Sequence, residues 1–217
     1  MDKRKSPTPI KAPRLPKSLP AAELPRDLPD DGETYAQLEY QQLDLAERIL
    51  SRPHFEEVIF QQANVAESRF QDLRMEDVRF AGSNLANAVW PDAGCARVEF
   101  ITCRMTGFIT LNALFQDTVF RGSKLDLAQF YQAKMQRVRF EDCPLVGADF
   151  READLTGAVF AQCDLTNADF RGATLADADI RGCAVDGMRA GPAELRGAIV
   201  DEVQALALIR AMGIIIA

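Results

Sequence analysis

Few side chains in this sequence could carry out catalysis or bind a metal ion. Its one histidine, His54, follows Pro53, and no second base or ligand accompanies it at a recognisable spacing. A general base or a zinc site needs such partners. The sequence therefore predicts no catalytic, cofactor-binding or metal-binding residue, no cofactor and no small-molecule substrate.

Four of the five cysteines are separated by multiples of twenty residues: Cys103, Cys143, Cys163 and Cys183. In a coil of that length Cys143, Cys163 and Cys183 would stack, with α-carbons about 4.8 Å apart. That distance permits a disulfide, whereas a linear ladder cannot surround a metal ion. We favour the alternative that cysteine serves here as a small apolar residue, interchangeable with alanine or serine.

The composition is that of a folded protein. The chain has 217 residues, of which 47% are hydrophobic and 26% charged, with a net charge of −7. This charge disfavours nucleic acid as a partner of the whole molecule. No apolar run reaches the roughly 18 residues of a membrane span, and the basic start does not resemble a secretory signal. We expect a cytoplasmic protein that does not enter membranes.

Residues 1–33 differ from the rest of the chain. They contain seven of the eleven prolines, and the first twenty residues carry six Lys or Arg against one Asp. Such a segment has few apolar residues to offset the entropy of ordering. The sequence predicts a disordered, proline-rich basic arm, which is either a solubilising tail or an electrostatic tether.

A five-residue period extends from Phe55 to Val185. Of the 27 residues at multiples of five, only Thr110 is not apolar, and twelve of the thirteen phenylalanines are among them. From Val58 to Cys183, the residue two places before each of these is Ala, Ser, Cys, Thr or Val in 24 of 26 cases. This period matches neither a helix nor a strand. It does match a coil that turns a corner every five residues.

Four such sides close a square of twenty residues, and stacked coils pair their backbones as parallel strands. One column of this stack would consist of rings alone: Phe60, Phe80, Phe100, Phe120, Phe140 and Phe160. The next column is aliphatic, so each layer keeps nearly the same volume. The spacing predicts an all-β solenoid with this core ladder of phenylalanines.

Segments such as Ala148-Asp149-Phe150 and Ala168-Asp169-Phe170 resemble the pentapeptide-repeat family, whose unit is Ala, Asp or Asn, Leu or Phe, and two free residues. The resemblance covers residues 55–185. It implies a right-handed quadrilateral β-helix and a protein that binds other macromolecules without catalysis. Residues 34–200 are the expected β-helix. Within them, 34–54 are either an imperfect first coil, with Arg48 at a small inward position, or a capping helix.

Residues 201–217 predict a C-terminal cap. Asp201 can begin a helix, Gly213 can end it, and a short apolar strand would follow. The family resemblance implies that this helix and strand form a homodimer interface. The residues assigned to it are Val203, Leu206, Ile209, Met212, Ile214, Ile215 and Ile216.

Two further surfaces are candidates for partner binding. The acidic candidate is Asp149, Glu152, Asp154 and Asp169, which is otherwise a solvated face. The apolar candidate arises around Thr110, where Phe108 fills a normally small position. This exchange is either local repacking or the sign of an exposed patch. The patch would consist of Ile101, Ile109, Leu111 and Leu114.

The sequence predicts a scaffold for an unidentified protein partner. The alternative follows from the family: its quinolone-resistance members and gyrase inhibitors are rods that mimic duplex DNA and bind type II topoisomerase. This sequence departs from them in its net basic middle coils, its uninterrupted repeat and its basic arm.

Overall fold

The computed structural model describes residues 9–215. Its strands are short and every pair between them is parallel. The elements are β1 (Thr34–Ala36), β2 (Glu39–Gln41), β3 (Ile49–Ser51), β4 (His54–Glu56), β5 (Ile59–Gln61), β6 (Arg69–Gln71), β7 (Arg74–Ala81), β8 (Gly94–Ile101), β9 (Leu114–Arg121), β10 (Lys134–Glu141), β11 (Val159–Ala161) and α1 (Glu202–Ala211). In the described part of the chain, no helix has the length and apolar character needed to cross a bilayer.

Each residue pairs with the residue twenty places along the chain, as Phe80 does with Phe100 and Phe100 with Phe120. One coil therefore contains twenty residues, and the chain is a four-sided β-helix, as the spacing predicts. We name the sides by their inward central residues. Side A is centred on Phe60, side B on Val65, side C on Phe70 and side D on Met75, each with its equivalents in the other coils.

Every corner of the coil is turned by a residue in the left-handed region. The residue two places after each central residue has a positive φ at all positions from Gly32 to Gly187, and most of these residues are not glycine. An L-residue in this region is strained by contact between its Cβ and the backbone. Thr102, with φ 51° and a branched Cβ, is the least suited of them.

Rings fill the core on side A. Neighbouring rings of the predicted ladder are nearly parallel, with centroids 4.4 to 5.4 Å apart. All six rings are at most 2% exposed. Offset stacking at this distance adds attraction to the burial of apolar area.

Local repacking accommodates the exchange at Thr110, and the outward residues beside it are described with the surfaces below. Phe108 is buried edge-on against Trp90, with ring centroids 5.2 Å apart. The Thr110 hydroxyl is also buried and donates to the Trp90 carbonyl oxygen at 3.1 Å. Because this hydroxyl has its partner, the coil keeps its shape with the large and small residues exchanged.

Residues 34–54 form a coil with strands β1 to β3 and no helix, in line with the first of the two predicted alternatives. Arg48 does not need to fit inside the stack, because it lies at the stack's end. Its guanidinium donates to the Pro29 carbonyl oxygen at 3.3 Å. Residues 27–29 thus cover this end, where the Tyr40 hydroxyl also donates to the Asp27 carbonyl oxygen at 2.7 Å.

The predicted disordered arm is wrong for residues 9–33. Residues 9–20 lie lengthwise along the coils, and Ala21 pairs in parallel with Glu39 on side A. Proline removes backbone donors, and the amides of Lys11 and Arg14 find carboxylate acceptors on the coils. Residues 1–8 of the predicted arm lie outside the described residues.

Helix α1 covers the other end of the stack. Asp201 is its N-cap, as predicted, in a capping box with Gln204. The buried Gln204 amide also donates to the carbonyl oxygens of Ile180 and Cys183, at 2.6 and 2.8 Å. The predicted strand is absent at Ile214 and Ile215, which follow the helix without strand pairing, and Ile216 lies outside the described residues.

Candidate interaction surfaces

The outer surface is a set of columns. On each side, the residues directly before and after the central residue point outward, and each column repeats every twenty residues. Two outward residues are therefore neighbours only if they share a side or meet at a corner. This rule decides which of the predicted surface residues come together.

Side C carries an apolar surface in its middle coils. Val89 and Ile109 are bridged neighbours in one column, and Leu111 follows Ile109 across the buried Thr110. Leu127, 61% exposed, lies at the corner between sides B and C, and Leu114, 43% exposed, begins side D. We call this surface the side-C patch: Val89, Pro91, Ile109, Leu111, Leu114, Leu127 and Tyr131.

The predicted patch is therefore only partly assembled. Ile109, Leu111 and Leu114 belong to the side-C patch, whereas Ile101 pairs with Ala81 and Arg121 on side A. Sides A and C are opposite each other in the square, so Ile101 cannot contact the other three. The sequence analysis missed Leu127 and Tyr131, although Tyr131 is twenty residues from Leu111 and Leu127 is eighteen from Ile109.

Two of the four residues of the predicted acidic surface are paired with arginine. Arg151 donates to both oxygens of Asp149, and Arg171 does the same to Asp169. Their carboxylates lie on side C in adjacent coils, with side-chain exposures of 18% and 11%. The guanidinium of Arg171 lowers the pKa of the Asp169 carboxyl.

The other two acidic residues also have partners. Asp154 accepts from the Thr156 amide and hydroxyl, and Glu152 accepts from the Gln132 amide at 2.6 Å. Asp154 lies on side D, next to Lys134 and Thr174 in its column. The four predicted residues thus extend over sides C and D and do not form a field of free negative charge.

A ladder of alternating charge lies at the corner between sides D and A. Asp77, Arg97, Asp117 and Arg137 occupy this corner in consecutive coils. Arg97 donates to both oxygens of Asp77 at 2.6 and 2.7 Å, and Arg137 to both oxygens of Asp117 at 2.7 and 2.8 Å. We call this set the corner ladder. Sequence analysis missed it, although its members are spaced by twenty.

The carboxylates of the corner ladder are almost inaccessible to water, since Asp77 is 5% and Asp117 is 2% exposed. The hydrogen bond from Arg137 lowers the pKa of Asp117, and burial opposes this. At Asp77 burial raises the pKa, but bonds from Arg97 and from the Arg14 amide outweigh it, so the pKa is lowered. Both groups are charged and fixed in position.

The cysteines are buried and unoxidised, and all five are free thiols. Four of their sulfurs, those of Cys103, Cys143, Cys163 and Cys183, contact backbone carbonyl oxygens. Burial raises the pKa of Cys103 to about 11 and also raises that of Cys95, which disfavours the reactive thiolate. Across residues 9–215, no three His, Cys, Asp or Glu side chains come together as a metal ion would require. His54 lies half-buried on side D beside Arg74.

Helix α1 turns only part of its apolar surface towards the stack. Gln204 and Leu208 are its buried residues, and Ile209 and Met212 are half-buried. The exposed apolar residues at this end are Val203, 78% exposed, Leu206, 46%, Ile214, 54%, and Ile215, 90%. The predicted cap residues therefore divide between the stack and the solvent.

Comparison with known proteins gives one family and a few distant structures. A family model described as a pentapeptide repeat region matches residues 93–161 and 133–205, which together are just over half of the chain. Among solved structures, HetL from the cyanobacterium Nostoc sp. strain PCC 7120, a protein involved in heterocyst differentiation regulation, is 21% identical. The match covers 71% of this chain and 76% of HetL, with a TM-score of 0.45.

The plasmid-mediated fluoroquinolone resistance protein QnrB1 is 14% identical in one of its structures. That match covers 87% of this chain and 99% of QnrB1, with a TM-score of 0.34. No curated protein matches the sequence significantly.

Proposed function

Because the chain belongs to the pentapeptide repeat family, we propose that it is a non-catalytic, cytoplasmic scaffold that binds another protein through the side-C patch. The observation that carries this proposal is the continuity of the patch. Its residues occupy consecutive coils on side C, the corner between sides B and C, and the first position of side D. Contiguous apolar surface rimmed by charge is typical of a protein-binding site.

The border of the patch supports the same proposal. Arg69 lies before it and the Asp149–Arg151 pair after it, in the same columns of side C. Arg151 also stacks over the Tyr131 ring, 5.7 Å from its centroid. A tyrosine held by a cation in this way is rigid, and rigid aromatic side chains are frequent anchors of protein interfaces.

The alternative function, a DNA mimic that binds gyrase, requires a surface of unpaired negative charge. Two of the four acidic residues that would supply it, Asp149 and Asp169, carry arginine partners, and so does Asp179 with Arg181. Each pair presents little net charge, so it adds little to steering towards a DNA-binding partner. This weighs against the mimic.

The side-C patch is tested with a pair of matched variants. Leu111→Asp and Ile101→Asp each place a charge directly after a central residue, on opposite sides of the rod. Partners captured from native lysate by the wild-type protein should be lost with Leu111→Asp, because a charge at an apolar contact is desolvated on binding. They should be retained with Ile101→Asp. Loss with both variants, or with neither, would contradict the proposal.

The gyrase alternative has its own assay. An inhibitor with a dissociation constant of about 1 μM, equivalent to roughly −8 kcal/mol, would suppress supercoiling at tens of micromolar protein. We expect no effect of the wild-type protein. Inhibition that weakens with added salt, as screening over a Debye length of about 8 Å requires, would favour the mimic instead. Neutralising Asp149, Glu152, Asp154 and Asp169 together should then abolish it.

We further propose that the protein forms a homodimer through the C-terminal cap. The support is the exposed apolar surface of Val203, Leu206, Ile214 and Ile215 at one end of the rod. Leu206→Asp should convert dimer to monomer in light scattering without loss of the sheet signal in circular dichroism. A wild-type protein that is monomeric at high concentration would refute this proposal.

A further inference from the structure

The N-terminal arm is bound to the corner ladder through its backbone. The Lys11 amide donates to Oδ1 of Asp117 at 3.1 Å, and the Arg14 amide donates to Oδ1 of Asp77 at 2.8 Å. From Lys11 towards Ala21 the arm runs from later coils to earlier ones, and Ala21 pairs with Glu39 in the first coil. It therefore crosses the strands at right angles to their direction, along the rod.

The arm and the ladder have matching periods. Asp77 and Asp117 are two coils apart, which is about 9.6 Å at the spacing of paired strands. Lys11 and Arg14 are three residues apart, and three residues of a polyproline II helix rise about 9.3 Å. One turn of such a helix therefore places the Lys11 and Arg14 amides, three residues apart, over the two aspartates of the ladder.

The arm sequence favours this conformation. Lys11-Ala12-Pro13 is followed by Arg14-Leu15-Pro16, a basic residue, a free residue and a proline, twice. Proline fixes its own φ and keeps the preceding residue extended. The residues that donate are the basic ones, whose amides are not removed by proline. Residues 9–14 accordingly have neither helix nor strand in the structure.

The ladder is preformed as an acceptor. Asp77 and Asp117 each sit at a left-handed corner, with φ 55° and 52°, and each is clamped by two bonds from the arginine of the next coil. Because the carboxylates are fixed before the arm binds, the arm meets no cost of ordering them.

The floor of the groove lies beside the ladder on side A. Val119 is only 7% exposed, less than the outward residues of equivalent columns such as Val89 and Ile109. It lines a cleft of about 280 Å³ together with Val159 and the arm's Ile10, and the charged Arg139 lies between the two valines in their column. The groove thus combines a floor of mixed apolar and charged side chains with acceptors at fixed intervals, which suit the remaining amide donors of an extended, proline-containing segment.

We propose that the corner ladder and this floor form a binding groove for proline-rich peptides with a Lys/Arg-x-Pro repeat, and that the protein's own arm is its resident ligand. A segment of another protein with the same repeat is recognised in place of the arm. The groove selects the three-residue spacing of amide donors. The basic side chains of Lys11, Arg14 and Lys17 are exposed, so they can pair with acidic groups of the rod or of a partner.

The tethered arm is a strong competitor. A ligand on a short flexible linker has an effective concentration on the order of millimolar. A free peptide of equal intrinsic affinity therefore displaces half of the arm only at millimolar concentration. A peptide from another protein binds efficiently only when the arm's own affinity for the groove is reduced. The proposal is therefore best tested on a full-length chain whose arm carries a substitution that weakens its binding.

Amide hydrogen exchange tests the resident state. The amides of Lys11 and Arg14 should exchange at least tenfold more slowly than those of Ala12 and Leu15, for which the described part of the chain shows no acceptor. Equal exchange at the four amides would overturn the assignment of the arm as ligand.

Binding in trans is tested with Arg14→Pro in the full chain, which removes one donor and keeps the polyproline conformation. A labelled peptide of residues 9–20 should bind this variant at least tenfold more tightly than the wild-type protein, by fluorescence anisotropy. Ala12→Pro is the matched control, because it adds a proline and leaves both donors, and its affinity for the peptide should equal that of the wild type.

The same peptide carrying Arg14→Pro is the second control and should bind at least tenfold more weakly. Equal affinity of the two peptides, or of the two protein variants, would overturn the groove. Formation of a dimer through exchanged arms would replace the foreign peptide by a second copy of the chain. This outcome is identified in the Leu206→Asp background, which removes the proposed cap contact. A dimer that persists there and becomes a monomer on addition of Arg14→Pro would refute recognition of foreign segments.

Discussion

Phe120 lies in the middle of the ring column on side A, and its replacement by alanine tests the five-residue assignment most directly. Its ring stacks on Phe100 and Phe140 at 4.9 and 4.8 Å, with interplanar angles of 6°. Phe115 and Phe130 approach its edge at 5.8 and 6.1 Å. Alanine removes all four contacts and leaves a cavity closed above and below by neighbouring coils.

The cost can be worked out from these contacts. Burial of a phenylalanine side chain contributes about 1.5–3 kcal/mol, and each aromatic pair adds about 0.5–1.5 kcal/mol. Two stacked pairs therefore bring the loss to about 4 kcal/mol, within the range of about 3–5 measured for core Phe→Ala changes. Phe160 stacks on one ring of its own column, Phe140, because Ile180 follows it. Phe160→Ala should cost about 1 kcal/mol less.

The measurement is urea unfolding followed by circular dichroism and by the fluorescence of Trp90, the one tryptophan. Arg121→Ala is the control, since this exposed neighbour only pairs with Glu141 at the surface and should cost less than about 1 kcal/mol. Divergence of the two probes in Phe120→Ala would show that the coils on either side unfold separately, as expected for a repeat stack with a defect. Equal costs of Phe120→Ala and Arg121→Ala would refute the register.

Three further outcomes are expected. Gln204→Ala should lower the free energy of unfolding by about 1–3 kcal/mol, because the buried carbonyls of Ile180 and Cys183 lose their donor; an unchanged value would contradict this. Thr102→Asn should raise it by about 0.5 kcal/mol, since asparagine tolerates the left-handed region better than a β-branched residue; thermal unfolding measures this. The depressed pKa of Asp117 stabilises the fold above the unfolded pKa of about 3.9, and this contribution is lost as the pH falls through the folded pKa. Wild type should therefore lose more stability than Asp117→Asn between pH 5 and 2, and parallel losses would refute the pairing.

The core could be predicted from the sequence because each inward position is specified locally. A central residue such as Phe130 must be large and apolar whatever partner the protein binds, and the residue two places earlier, Ala128, must be small. The repeat enforces this choice at every corner, so the period survives even where one coil exchanges a large and a small residue. The same regularity made the twenty-residue coil predictable.

The interaction surfaces were harder to predict from the sequence, because they depend on neighbouring residues that the repeat does not constrain. Ile101 and Ile109 are equally apolar and only eight residues apart, yet they face opposite ways. Nothing in the repeat pattern marks Asp149 as paired, but Arg151, two places later, donates a hydrogen bond to its carboxylate. The arm's position could not be predicted, since composition alone does not reveal that its donors match the spacing of two coils.

Specificity in this rod must therefore reside in columns rather than in motifs. An outward residue contributes to a surface with the residues twenty places before and after it, and with those beside it at a corner. At the D–A corner Asp77, Arg97, Asp117 and Arg137 alternate in charge. Because of this alternation, the corner presents fixed carboxylate acceptors at regular intervals. The side-C columns carry no such alternation, and in the scaffold that we propose their apolar residues would select a partner by shape and burial. Two sites of different chemistry can thus occupy one stack without sharing a residue, and each can be removed by mutation without disturbing the other.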